Sequence, residues 1–193
     1  MESHDHITRR DALKQVALLL GGAISAPTLA GALDAATRRR PWTAPGWSPH
    51  TLSSEQLELV AVMADHIIPA TDTPGARAAG VQGFVDTLLT DHYPAEERDR
   101  FLAGLKDVQS KRFLESTPEQ QVAMLNAMDE AAYPALQIDS PRSPETWFFR
   151  RFKELTLVGY YTSQIGATQE LHLTPFGAYR GDIPYASVGR AWA

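Results

Sequence analysis

Cysteine is missing altogether from this 193-residue chain. Its absence excludes disulfides, thiolate nucleophiles, iron–sulfur clusters and c-type haem attached through a C-x-x-C-H motif. It leaves the redox compartment open, because a chain without thiols is indifferent to it. Blocks of one charge are scarce too. Beyond the first residues only Arg38-Arg39-Arg40 is a basic run, and the net charge is −5, which argues against a nucleic-acid partner. A mean hydropathy of −0.25 argues against many membrane spans. No G-x-G-x-x-G follows a strand-like run, and there is no G-x-S-x-G elbow, P-loop or H-E-x-x-H. Without a parallel sheet to carry a phosphate-binding turn, the chain lacks the means to bind a dinucleotide alone. What is there, 44% hydrophobic and 21% charged residues, is the balance of one globular domain.

Residues 1–33 read as a targeting segment outside the fold. Thr8, Arg9, Arg10, Leu13 and Lys14 follow the S/T-R-R-x-F-L-K pattern of twin-arginine export signals, with Ala12 where Phe is usual. A receptor reading the paired guanidinium forks would not accept lysines in their place. An Ala- and Gly-rich apolar stretch from Val16 to Leu33 follows, and Ala30-Gly31-Ala32 offers small residues for cleavage. The expectation is a cut after Ala32 and a periplasmic mature chain. An uncut signal serving as a single anchor is the second possibility, weakened by Gly21, Gly22 and Pro27.

Residues 34–51 read as a linker, because Pro41, Pro45, Gly46 and Pro49 oppose a helix. Five helical patterns follow. The first opens at Ser53, at capping-box spacing from Gln56, carries a stripe of Leu57, Val60, Ala61, Ala64 and Ile67, and stops at Pro69. The second runs from Val81 to His92. The third follows Pro94. The fourth opens at Thr117-Pro118, with an inner face expected at Val122, Leu125, Met128 and Ala132. The fifth opens at Ser143-Pro144 and runs through Trp147, Phe148, Phe152, Leu155 and Val158. No run of strand period appears. The fold class is all-α: a single helical domain of five or six helices over 52–193, with an extended tail from Pro175.

Asp65-His66, Asp91-His92 and Glu170-x-His172 are the nearest approach to a metal site. Adjacent residues on a helix point about 100° apart, whereas bundle sites use Glu-x-x-His to bring both ligands to one face. No metal is therefore expected; His66 and Asp91-His92 read as helix-end residues.

Three stretches carry a resemblance. The first joins Leu52–Leu57 to Asp65-His66-Ile67-Ile68-Pro69-Ala70-Thr71-Asp72-Thr73-Pro74-Gly75-Ala76. The second is Gly80-Val81 through Phe84-Val85-Asp86. The third and most specific runs from Phe152 to Leu171. From about Leu52 to Tyr185 the chain resembles the gluconate 2-dehydrogenase subunit 3 family, the small subunits of membrane-associated flavoprotein dehydrogenases. The resemblance implies a non-catalytic subunit with no cofactor of its own. It implies a large partner holding FAD and oxidising a sugar, sugar acid or glycoside, often joined by a cytochrome c subunit with haem c. It also implies that the small subunit stabilises the large one and carries it through the twin-arginine translocase to the periplasm, with membrane association through the complex. Where family members often show Tyr-x-Gly-Cys-Ile-Pro, this chain has Tyr179-Arg180-Gly181-Asp182-Ile183-Pro184, which excludes an intersubunit disulfide at that point.

Within these motifs, Thr71–Gly75 reads as an Asx turn with Gly75 at positive φ. Tyr160 and Tyr161 suit either core or interface. Trp42, Trp47, Phe176, Tyr179 and Tyr185 lie among Pro and Gly that prevent regular structure, so the two tails are expected to wrap the flavin subunit, with Tyr160 and Tyr161 as further interface candidates. Two other classes remain open at this point: a free-standing periplasmic sugar-binding module, and a metal-dependent helical enzyme.

Overall fold

The computed structural model describes residues 24–37, 46–133 and 144–171. Among them are six α-helices and no strand: α1 Ala26–Thr37, α2 Ser54–Ile67, α3 Val81–Asp91, α4 Ala95–Ser110, α5 Pro118–Ala132 and α6 Pro144–Tyr161. A 3₁₀ turn at Phe113–Glu115 leads into α5, and a π turn at Gly166–Glu170 follows α6. The all-α expectation holds, and the five helices read beyond residue 52 are present.

The helix ends follow from local chemistry. Ser53 Oγ accepts the Gln56 N–H at 3.2 Å while Gln56 Oε1 accepts the Ser53 N–H at 3.0 Å. The same box closes α5 through Thr117 and Gln120, with Pro118 in the first turn. Each box satisfies two donors that a helix start otherwise leaves unpaired.

α6 is the axis, packing against all five other helices. Phe148, Phe149, Phe152, Leu155, Val158 and Tyr160 are buried along it, and each such side chain contributes ~1.5–3 kcal/mol by leaving water. Two neighbours approach α6 closely. A Cβ at Gly104 of α4 would overlap the Phe148 ring, and one at Gly159 would stand 2.7 Å from Phe84 Cδ1 of α3. Trp147, expected in the core, is half-buried instead, with the Arg100 guanidinium 4.5 Å from its ring centre. The inner face of α5 differs by one residue from the expected stripe. Leu125 and Ala132 are buried, but Val122 is 43% exposed and Gln121 points inward. The reason is polar: Gln121 Nε2 donates to the Phe113 carbonyl at 2.9 Å, and its Oε1 lies 2.7 Å from His66 Nε2.

Helix α1 runs across the boundary drawn at residue 33. Residues 24–37 belong to the fold. Ser25 Oγ lies 3.4 Å from the Thr28 N–H, a helix-capping contact, and Pro27 falls in the first turn, where its missing N–H costs nothing. Thr28 and Ala32 are buried, and Gly31 lies so close to Leu88 of α3 that no Cβ fits. The Ala and Gly content that suits a leader also suits a helix packed close against its neighbours. Helix α1 continues to Thr37, into the stretch read as a linker from residue 34. Residues 50–52 then lie against α3. Asp86, fully buried, accepts the backbone N–H groups of His50 at 2.9 Å, Thr51 at 2.9 Å and Leu52 at 2.7 Å.

Candidate partner-binding surface

The first and third motif stretches, more than seventy residues apart in the chain, meet in space. Between α2 and α3 the backbone folds back on itself: Ala76 N–H donates to the Ile68 carbonyl, and Thr71 N–H to the Thr73 carbonyl, both at 2.9 Å. Asp65 Oδ1 accepts the Arg77 N–H at 3.2 Å, tying the end of α2 to the far side of the loop. The loop is then clasped to the end of α6. Tyr160 Oη donates to the Pro74 carbonyl at 3.0 Å, and Thr73 Oγ1 donates to Glu170 Oε2 at 2.7 Å.

Glycine carries two parts of this loop, for different reasons. Gly80, at φ 77°, takes the left-handed conformation that starts α3. Gly75 does not have the positive φ expected of it. It is needed for room: a Cβ there would come within 2.7 Å of the Ala70 nitrogen and 2.8 Å of the Ile68 carbonyl oxygen. Asp72 is exposed, and its Oδ1 accepts the Thr71 hydroxyl at 3.0 Å.

On the other side of the clasp the chain leaves α6 through a π turn, closed by Leu171 N–H to the Gly166 carbonyl at 2.9 Å. Gly166 packs on the Tyr160 carbonyl, and its N–H donates to Ser163 Oγ at 2.9 Å. Single π turns of this kind recur where a helix is bent for function. Thr71, Asp72, Gln164, Thr168 and Gln169 stand exposed around the clasp. Such a surface, polar outside and anchored on a buried aromatic, resembles the rim of a protein interface.

Tyr160 and Tyr161 differ in burial. Tyr160 is 1% exposed and belongs to the core, so its interface role is corrected: it positions the loop from beneath. Tyr161 is half-buried, its ring edge-on to Tyr160 with centres 5.3 Å apart. Burial pushes its phenol above the ordinary tyrosine range, and the nearby Glu170 charge and Tyr160 push the same way. Trp47 is half-buried. Trp42, Phe176, Tyr179 and Tyr185, like Thr8, Arg9, Arg10, Leu13, Lys14, Asp182 and the tail from Pro175, lie outside the described residues.

Two of the three imidazoles have structural partners, and His172 lies outside the described residues. His66 meets Gln121, and His92 Nε2 lies 3.5 Å from Asp34 Oδ2 of α1. Among the described residues no three His, Asp or Glu side chains are grouped as metal ligands. Sequence reasoning passed over Asp86 and the Thr28–Tyr93 pair described below. An aspartate within the apolar Phe84–Leu89 stretch was the available signal for the first.

The family model described as gluconate 2-dehydrogenase subunit 3 matches residues 54–181. The match takes in both halves of the clasp. No curated protein and no solved structure matches the chain.

Proposed function

The chain belongs to the gluconate 2-dehydrogenase subunit 3 family, and from that premise we propose that it is the non-catalytic small subunit of a periplasmic FAD-dependent dehydrogenase acting on a sugar, sugar acid or glycoside. In this reading it stabilises the large catalytic subunit and carries it through twin-arginine export, on the strength of Thr8-Arg9-Arg10 and Leu13-Lys14. FAD belongs to the partner, and haem c to a cytochrome subunit where one is present.

The observation that carries the proposal is the family match over 54–181, within which the two longest motif stretches form one clasp. Loops held in one conformation lose little entropy on association, so a clasp locked by Tyr160 and Glu170 suits docking to a large partner. The tail with Phe176, Tyr179 and Tyr185 continues in sequence from Leu171, at the clasp, and supplies aromatic anchors of the kind that dominate interface energies.

Affinity purification of the full-length chain from its native host tests this. A co-purifying large subunit with bound FAD and sugar dehydrogenase activity is the expected result. A chain that purifies alone and itself binds FAD, or itself oxidises a sugar, overturns the proposal.

A further inference from the structure

The segment most readily taken for the cleavage region of a leader is built into the protein. Helix α1 packs against α3 and α6. At its start, Glu154 Oε1 of α6 accepts the Ser25 N–H at 2.8 Å, while Glu154 Oε2 is held by the Arg151 guanidinium at 2.6 Å. A carboxylate in this position complements the partial positive charge of a helix N-terminus. One turn on, Thr28 Oγ1 lies 2.8 Å from both Tyr93 Oη and Ser25 Oγ, and Thr28 is fully buried. Gly31 and Ala32 then lie against the core, with Leu88 filling the space a side chain at Gly31 would need. Asp34 pairs with His92. Specific contacts of α1 thus reach from Ser25 to Asp34, across the Ala30-Gly31-Ala32 site.

A processing protease takes its substrate as an extended strand with several residues on each side of the cut bond. Cleavage after Ala32 would require α1 to leave its groove and unwind. Proteolysis concentrates in exposed, irregular segments, and this one is helical with its cut site buried. Removing residues up to Ala32 would also leave the buried Tyr93 hydroxyl without Thr28, and polar groups left unpaired in this way are costly.

We infer that Ser25–Thr37 is a permanent part of the mature protein and that any proteolytic processing of the chain occurs on the N-terminal side of Ser25. The small residues Gly31 and Ala32 are there for helix packing and not for a peptidase. A second consequence concerns the membrane. With α1 docked, the apolar run from Val16 retains only the eight residues to Ala23, far short of the ~20 a spanning helix needs. The docked chain is therefore not anchored by that run.

The inference rests on the export reading only for when a peptidase would meet the chain, and two measurements keep the ideas apart. The first is the intact mass of the chain purified from the periplasmic fraction. It is expected to include all of Ser25–Thr37; an N-terminus at Leu33, or anywhere from Ala26 to Thr37, overturns the inference. The second is hydrogen exchange on the full-length chain kept in the cytoplasm by Arg9→Lys and Arg10→Lys. Amides from Leu29 to Leu33 are expected to exchange about a hundredfold or more slowly than in a free peptide. Free-peptide rates there overturn it. A wild-type chain found only in the cytoplasm sinks the export reading, and hydrogen exchange then decides the inference alone.

Discussion

Asp86 and Leu52 meet at 2.7 Å, a buried carboxylate oxygen accepting a buried backbone N–H, and the same side chain also takes the N–H groups of His50 and Thr51. Three consecutive amides converging on one carboxylate fix how the chain enters α2. Asp86→Ala is expected to destabilise the protein by about 3 kcal/mol, because hydrogen bonds to a charged group are each worth roughly 1.5–3 kcal/mol and the amides keep no replacement. Asp86→Asn, which keeps one acceptor oxygen, should lose less. Urea denaturation of both variants checks the ranking, and a loss below about 1 kcal/mol for the alanine variant would show that water replaces the carboxylate.

Tyr93 gives a pH signature. Burial pushes its phenol above the ordinary value of 10.0, against the lowering effect of the Thr28 and Ser25 hydroxyls. A group raised on folding contributes stability that is complete below the unfolded value and is lost as pH rises through the folded one. Stability should therefore be insensitive to this group between about pH 7 and 9 and should fall above about pH 10. Tyr93→Phe should cost about 1 kcal/mol at neutral pH, through the Thr28 contact, and should flatten the alkaline fall. An equally steep fall in the variant would assign it to other groups, Tyr161 first, whose phenol is raised by burial and by Glu170.

The sequence disclosed the five body helices because their caps and stripes are local. Ser53 with Gln56 and Thr117 with Gln120 are legible three residues apart. The errors arose where a residue's role is set by a distant partner. Gln121 turns inward, and Val122 out, because His66 and the Phe113 carbonyl are waiting for an amide. Gly75 is required by the bulk of its surroundings and not by its φ. Helix α1 was hidden by an ambiguity of composition: small apolar residues after a basic stretch describe a leader and a close-packed helix equally. Only Leu88, Tyr93 and Glu154, far along the chain, distinguish them. The clasp was legible as two motifs but not as one site, since no spacing rule links Pro74 to Tyr160.

Gly104 offers a test of how tightly α4 is held to α6. Its missing side chain is the space occupied by the Phe148 ring, which also lies edge-on to Phe101 with ring centres 5.1 Å apart. On an exposed helix Gly→Ala stabilises by up to ~1 kcal/mol. Here overpacking should reverse the sign and cost ~1–3 kcal/mol. Thermal unfolding of Gly104→Ala should show a melting temperature several degrees lower; an unchanged or higher value would mean that α4 can shift outward without loss.

Export as a passenger makes a prediction that charge alone does not. Arg9→Lys with Arg10→Lys preserves net charge and removes the guanidinium forks. Both this chain and its large partner are then expected to remain in the cytoplasm, with dehydrogenase activity lost from the periplasmic fraction. Normal periplasmic activity in the double variant would mean that the partner travels by another route.

The clasp itself can be tested without disturbing what holds it together. Gln164 and Gln169 are exposed beside the π turn, so Gln164→Arg with Gln169→Arg should leave the melting temperature within about 2 °C of the parent, as surface substitutions usually do. If the large subunit docks here, two bulky charges at the contact should reduce its co-purification at least about tenfold, since truncating or blocking one central contact commonly costs ~2 kcal/mol or more. Ala103→Arg, exposed on α4, is the control and should leave the complex intact. The combination matters because Tyr160 is buried: substituting it would weaken the fold and the complex together and could not separate them. Undiminished recovery of the partner with the double variant would move the contact to the aromatic tails at Trp42, Trp47, Phe176, Tyr179 and Tyr185, leaving the clasp as the structural base from which the C-terminal tail departs.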